Sequence, residues 1–319
     1  MTCSHKSVSP GCRKQNFCAI VVAVGTFAVL YFSYDPQPAG ANPGETRVDL
    51  SQLQDAQTAE IPESVGNSTQ AQNDNELRGR MALLMQVLLL EKGLHKIAEI
   101  PSYSATFCKQ EKIGGVLSNP EFMQIKLRHK PFSIYAKVIE GADVGRELLY
   151  VDGDNNNEML VKLGGVKGRM MPALKLDPHG ALAMKESRYP ITTLGIKQMT
   201  EEIIRFRQRD LANTAGLTCR MLDDQRFNKR PCYCFIMEYH QPQNDNPHRK
   251  SLIYVDKELN MPSCIKNYSW APDGQEKLEG KELDEATLVE FYSISNLQLE
   301  EQIADTEFDK SNTNYSFRR

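Results

Sequence analysis

The sequence predicts an α+β protein: a curled antiparallel sheet of about 10–11 strands, an incomplete β-barrel, with helices as a lid. Three observations predict it. Short runs that alternate apolar and polar residues follow one another from residue 103 to residue 299, separated by turn residues. One helical pattern precedes these runs and one interrupts them. The charged fraction of 25% and the apolar fraction of 40% are those of an ordinary globular chain.

The first strands lie between Tyr103 and Gly153, where YSATFCKQEKIGG, IKLRHKPFSIYAK and GRELLYVDG follow one another. Each run has a period of two, which is typical of a strand with one covered face. The turn DGDNNN then separates LLYV from EMLVKL. Later runs extend over 174–177, 217–222, 232–240, 251–255, 263–270 and 288–299. So many consecutive antiparallel strands tend to curl.

Two helices are expected. Asn73 and Glu76 have capping-box spacing and open a helix with apolar residues from Leu77 to Leu94, on a face wide enough to need cover on more than one side. The second is amphipathic, starts after Thr193 as a plausible N-cap, and repeats Ile196, Met199, Ile203 and Phe206. The glycine-rich stretch at 164–168 matches no phosphate-loop pattern and is interpreted as a solvated turn.

The N-terminal part predicts export. Basic residues precede the uncharged run from Phe17 to Phe32, and Ala39-Gly40-Ala41 offers a cleavage site. Residues 1–41 are therefore a signal peptide, or an N-terminal anchor that holds the protein to the inner membrane through residues 17–34. Residues 42–73 are a polar, proline-containing linker, and 74–319 form the folded domain. The destination is the periplasm or the cell envelope.

The cysteines leave two alternatives open. In an oxidising compartment, Cys108, Cys219, Cys232, Cys234 and Cys264 allow one or two disulfides with one thiol left over. Alternatively, all five are small buried side chains. The pairing cannot be assigned from the sequence.

No catalytic or metal-binding motif is recognisable. The histidines are scattered, HExxH, CxxC and GxSxG are missing, and the DGDNNN turn lacks the Gly and Glu that a calcium loop requires. The net charge of −3 lacks the excess of basic residues that nucleic-acid binding requires. We therefore expect no cofactor, no metal and no enzyme activity. Arg128, Arg146 and Arg188 are candidates for structural ion pairs or for anionic headgroups.

The motifs together resemble a known family. YSATFCKQEKIGG, LDPHGALAMKESRYPITTLGI, SLIYVDKELNMPSCIKNYSW and FYSISNLQL occur in the order of an exported domain-of-unknown-function family abundant in planctomycete bacteria. The resemblance covers about Leu77 to Phe317. That family is in turn similar to outer-membrane lipoprotein-sorting carriers of the LolA/LolB type. The resemblance implies a half-barrel with a helical lid over an apolar cavity for acyl chains, and a lid-latching arginine for which Arg146 and Arg188 are candidates.

Our leading hypothesis is an exported, non-enzymatic protein that binds lipid or lipoprotein acyl chains. The alternative is an envelope sensor or scaffold that binds a protein partner through the same fold, and an envelope hydrolase is a remote third. The residues expected to line the cavity are Leu84, Leu88, Phe107, Ile125, Phe132, Ile134, Ile196 and Ile203.

Overall fold

The computed structural model describes residues 76–242, 246–271, 278–299 and 302–317. The predicted signal or anchor segment and the predicted 42–73 linker lie outside the described residues. The strands are β1 (Glu76–Arg78), β2 (Ser102–Ile113), β3 (Val116–Leu117), β4 (Glu121–Arg128), β5 (Ser133–Glu140), β6 (Glu147–Val151), β7 (Met159–Lys162), β8 (Leu174–Leu176), β9 (Leu217–Phe227), β10 (Arg230–Tyr239), β11 (His248–Asp256), β12 (Pro262–Ser269) and β13 (Leu288–Gln298). The α-helices are α1 (Gly79–Glu99), α2 (Gly165–Met170), α3 (Ile196–Ala212) and α4 (Gly280–Thr287).

All thirteen strands belong to one antiparallel sheet, in the order β1-β9-β10-β11-β12-β13-β2-β4-β5-β6-β7-β8, with the short β3 paired only to β2. Within the described residues β1 and β8 are the two edges, so the sheet is open. The expected fold class, an α+β curled antiparallel sheet with helices, is confirmed. The strand number exceeds the expectation because β1 and β3, with three and two residues, are too short to show a period.

The strand order requires part of the chain to cross the inner face of the sheet. β8 is one edge of the sheet, whereas β9 lies beside β1 at the other edge. The connection between them must therefore cross the sheet, and it does so as a strap of residues 177–195, with two short 3₁₀ turns, followed by α3. Helix α1 likewise carries the chain from the β1 edge to the central strand β2, and it packs against α3 and β9.

The main core lies between the inner face of the sheet and these helices. Helix α1 contributes Ala82, Leu83, Val87, Leu90 and Ile97, all buried. Tyr103 of β2 is completely buried, and its hydroxyl accepts a hydrogen bond from the backbone N–H of Ile196 at 2.8 Å. This bond satisfies one of the unpaired amides at the start of α3 and fixes the helix to the sheet.

Three local expectations were wrong. Glu76 belongs to β1, so it does not cap a helix, and α1 begins only at Gly79. Thr193 lies in a 3₁₀ turn where its hydroxyl donates to the Pro190 carbonyl, and Gly195 is the N-cap of α3. Part of the glycine-rich stretch forms helix α2. In each place a local hydrogen bond or strand pairing outweighed the propensity of the sequence.

The outer face of the sheet has a smaller core of its own. The C-terminal segment 302–317 lies against β5 and β6, where Tyr315 stacks on Tyr135 with ring centroids 3.9 Å apart and Phe317 packs edge-on to both. Strands β5 and β7 are consequently buried on both faces over most of their length.

The five cysteines of the described residues are buried free thiols. Burial raises the pKa of Cys264 to about 12, and that of Cys219 also to about 12, so both are protonated at neutral pH. The structure thus agrees with the second sequence alternative. No helix in the described ranges combines the length and the apolar character needed to cross a membrane.

We predict that Gly93→Ala destabilises the protein, although alanine favours helices. A Cβ atom at Gly93 would lie 2.1 Å from the carbonyl oxygen of Asn260 in the β11–β12 turn. Overpacking of this kind costs about 1–3 kcal/mol. Urea unfolding should show this loss of free energy, whereas Lys92→Ala on the exposed face of α1 should change it by less than about 0.5 kcal/mol. A Gly93→Ala protein as stable as the parent would contradict the close packing.

Candidate functional site

A cavity of about 810 Å³ lies between the inner face of the sheet, the strap and α3. Its size falls within the usual range for small-molecule sites, roughly 300–1,000 Å³. Most of its wall is apolar. β2, β4 and β6 contribute Phe107, Met123 and Leu148, the strap contributes Leu182 and Ile191, and α3 contributes Ile203.

One band of this wall is polar. Ser251, Asn267, Glu290 and Glu111 are successive register partners across β11, β12, β13 and β2, and their side chains therefore share the inner face. The Asn267 side-chain amide donates to Glu290 Oε1 at 2.7 Å. The next band along the strands is mostly apolar, with Ile253, Ile265 and Tyr292. The cavity thus has a polar zone beside an apolar one.

Arg188 of the strap neutralises the polar band. Its Nε donates to Glu290 Oε2 at 2.9 Å, and its backbone N–H donates to Glu111 Oε2 at 3.1 Å. Both carboxylates are buried, with Glu290 2% and Glu111 3% exposed. Burial opposes the charge of Arg188, but Glu290 outweighs that effect and holds the pKa of Arg188 above its usual value. One arginine therefore links the strap to two neighbouring strands.

Tyr292 completes this cluster. Its hydroxyl donates to Glu111 Oε1 at 2.5 Å, and its ring stacks on Phe107 with centroids 5.9 Å apart. Burial, together with the nearby charges of Glu290 and Glu111, strongly raises the pKa of Tyr292. It is therefore a permanent hydrogen-bond donor to Glu111 at physiological pH.

A second tie fastens the strap near its middle. Arg146, at the start of the β6 hairpin arm, lies between Glu121 of β4 and Glu186 of the strap, with Nη–Oε distances of 2.7 and 2.9 Å. Glu186 is largely exposed, at 74% of its side chain, so the pair with Arg146 is screened by water. Arg188 is the stronger of the two attachments because its partner Glu290 is buried.

The α3 side of the cavity carries Arg207 and His248. Arg207 is buried, its Nε lies 3.1 Å from Asp210 Oδ2, and its Nη2 donates to the Tyr239 hydroxyl. His248 is also among the lining residues. Burial lowers the pKa of His248, an effect that Glu290 opposes and the charges of Arg188 and Arg207 reinforce. His248 is therefore neutral at pH 7.

The structure separates the residues that the sequence analysis grouped. Phe107 and Ile203 line the cavity. Ile125, Ile134 and Ile196 are buried in the main core away from the cavity wall, and Phe132 packs on Tyr150. Leu84 is half-buried on α1, and Leu88 is 60% exposed. Leu88 is exposed because α1 packs against the core through Leu83, Val87 and Leu90. The apolar face of α1 is so wide that the sequence did not show which side would be buried.

The arginines also separate. Arg146 and Arg188 lie at the cavity and tie the strap down, as described above. Arg128 instead pairs with Asp305 and lies over the ring of Phe308, with 4.8 Å between guanidinium carbon and ring centroid. It therefore holds the C-terminal segment. Across the described parts of the chain, no group of three or more His, Cys, Asp and Glu side chains could hold a metal ion.

The family model described as "Protein of unknown function (DUF1571)" matches residues 100–317. The chain belongs to the DUF1571 family. No curated protein matches its sequence.

Solved structures resemble this DUF1571 chain only loosely. A putative outer-membrane lipoprotein-sorting protein domain from Vibrio parahaemolyticus is 11% identical with a TM-score of 0.31, covering 73% of this chain and 96% of that one. Lipoprotein LppX of Mycobacterium tuberculosis is 10% identical with a TM-score of 0.39, over 69% and 98% of the two chains. MucB of Pseudomonas aeruginosa, in complex with MucA, is 12% identical with a TM-score of 0.37, over 70% and 60%. Similarity at this level says nothing about what the DUF1571 chain binds.

Sequence reasoning missed the polar band of this DUF1571 domain. Glu111 continues the inward set of β2 after Phe107, and Glu290 precedes Tyr292 by two on β13. A charged residue in the inward phase of an otherwise apolar strand is the signal that could have identified both. Their pairing with Arg188 had no local signal, because it joins residues far apart in the chain.

We predict that Arg188→Met destabilises the protein by roughly 2–5 kcal/mol, because Glu290 would stay buried without its cation. The double variant Arg188→Met/Glu290→Gln should recover part of this loss. A double-mutant cycle by urea unfolding measures the coupling energy. Arg205→Met, which removes only an exposed pair with Glu202, serves as the control and should cost less than about 1 kcal/mol. Strictly additive effects would refute the coupling.

We also predict that acid destabilises the fold partly through His248. Its pKa is lowered in the folded protein from an ordinary value of 6.5, so the unfolded chain binds the proton more readily. This contribution to the free energy of unfolding is present above pH 6.5 and is lost as the pH falls toward the lowered value. His248→Gln should flatten the pH dependence of unfolding in this window, whereas His179→Gln in the exposed strap should not. An unchanged slope in His248→Gln would contradict the prediction.

Proposed function

We propose that the protein is an exported, non-enzymatic component of the cell envelope that binds an acyl chain of a lipid or lipoprotein in the cavity under the strap. The observation that carries the proposal is the cavity itself, about 810 Å³ in volume with a mostly apolar wall. Each CH₂ group that leaves water for such a wall contributes roughly 0.8 kcal/mol. The uncharged run from Phe17 to Phe32 supports export.

The polar band supports an amphiphilic ligand. An acyl chain along Met123, Leu148 and Ile203 would leave its polar end near Asn267 and Ser251, where hydrogen-bond partners are available. The strap would cover the chain from water. Release of Arg188 from Glu290 is the step that would uncover it.

We predict that Leu148→Trp blocks ligand uptake. Leu148 lines the cavity and is half-buried, so an indole at this position would occupy space needed by an acyl chain. Uptake of a fluorescent hexadecanoyl probe should fall at least about tenfold, the equivalent of two lost CH₂ contacts. Val116→Trp, at a position 72% exposed on β3, is the matched control and should bind the probe normally.

Native mass spectrometry of the protein purified from its own envelope provides the second measurement. A mass that lipid extraction removes, present in the parent and Val116→Trp but missing in Leu148→Trp, is the expected result. A bare polypeptide mass that no lipid or lipopeptide increases would overturn the proposal.

A second candidate function, an envelope sensor or scaffold for a protein partner, is favoured by one observation. Met81, Met85 and Leu88 form an exposed apolar stripe along α1, at 58%, 37% and 60% exposure. A partner that is captured equally by the parent and by Leu148→Trp, but not by Met81→Ser/Leu88→Ser, would favour this function.

A further inference from the structure

Five further exposed apolar side chains lie on the β5–β6 loop, on and just after α2, and on the strap. We name this set the rim patch and define it as Val144, Val166, Met170, Met171 and Leu182. The described residues contain ten large hydrophobic side chains that are exposed, and these five are half of them. Met170 and Val166, on α2, are the two most exposed of the five, at 82% and 72%.

Backbone contacts hold the rim patch in place. The β5–β6 loop packs directly on the chain that enters α2, since a Cβ atom at Gly164 would lie 2.4 Å from the carbonyl oxygen of Val144. The Gly164 N–H donates to Asp143 Oδ1 at 3.2 Å. At the far end of α2, Lys162 of β7 donates to the Met171 carbonyl at 2.6 Å. The exposed side chains thus stand on a fixed backbone.

The charge around the rim patch is opposite to that of the whole chain. Residues 163–175 contain Lys167, Arg169 and Lys175 and no acidic residue, whereas the formal net charge of the protein is −3. Lys175 and Lys185 are exposed. Exposed apolar side chains among basic residues are typical of segments that lie in the interface of an anionic membrane.

The rim patch continues into the cavity. Leu182 is 58% exposed and also lines the cavity, and Leu163 and Leu174, which flank α2 in the chain, line it as well. An acyl chain could therefore pass from a bilayer at the rim patch to the cavity wall along apolar side chains, with little exposure to water.

We propose that the rim patch docks the protein onto the surface of an anionic lipid bilayer, with the cavity mouth toward the acyl chains. The proposal rests on the proposed function, which it deepens by naming the surface from which the ligand is taken or to which it is delivered. The α1 stripe supplies an internal comparison, because it is equally apolar but lies on a different element.

Hydrogen–deuterium exchange on the full chain tests the proposal, because it reports each segment separately from any effect of residues 17–34. The protein is measured alone, with phosphatidylcholine vesicles, and with vesicles of equal parts phosphatidylcholine and phosphatidylglycerol. We expect slower exchange in peptides covering 142–146 and 163–171 only with the anionic vesicles, and weaker protection at high salt. Val166→Ser/Met170→Ser should raise the vesicle concentration needed for half-maximal protection about tenfold. Met81→Ser/Leu88→Ser should leave that concentration unchanged.

Three results would overturn the docking proposal: no protection at the rim patch, equal protection with uncharged vesicles, or protection of α1 instead. Native mass spectrometry of the same samples separates this outcome from failure of the proposed function. A protein that retains an acyl ligand but shows no rim protection refutes docking alone. A protein that carries no ligand in the mass spectra and shows no rim protection refutes the proposed function as well.

Discussion

The site depends on one electrostatic constraint: two carboxylates, Glu111 and Glu290, lie directly opposite each other on neighbouring strands inside the sheet. Like charges at register partners destabilise a sheet, and burial increases the cost. Arg188, Asn267 and Tyr292 together provide the compensating charge and hydrogen bonds. Because Arg188 comes from the strap, the state of the strap and the stability of the sheet interior are coupled. Movement of the strap away from the sheet would leave Glu290 without its arginine and Glu111 without the hydrogen bond from the Arg188 backbone.

The covering of the cavity follows from strand order. The chain between β8 and β9 has to connect opposite edges of an open sheet, and the shortest route over the inner face is taken by the strap and α3. A sheet of this size curls, and a curled inner face leaves a hollow that helices lying across it do not fill completely. The cavity is thus a product of architecture, whereas its polar band is a product of individual residues.

The sequence predicted the fold well and the site poorly. The strands could be predicted because β2 and β4 alternate apolar and polar residues and β10 is a short apolar run. Helices α2 and α4 are too short to show a helical period. The sequence could not predict which of Leu83, Leu84, Val87 and Leu88 point toward the core. Helix α1 is apolar on most of its surface, and tertiary packing decides which side is covered. The pairing of Arg188 with Glu290 was inaccessible for another reason, since it is a contact between distant segments that leaves no local pattern.

The pairing of β13 with β2 has a consequence for how the chain folds. Strands β2 to β8 and strands β9 to β13 each follow one another along the sheet, so each half can form from neighbouring segments. The seam between the halves joins residues such as Tyr292 and Glu111, which are 181 positions apart in sequence. Contacts of such long separation form slowly because a large loop must close first. Until β13 has paired, β2 and β12 each present an unpaired edge.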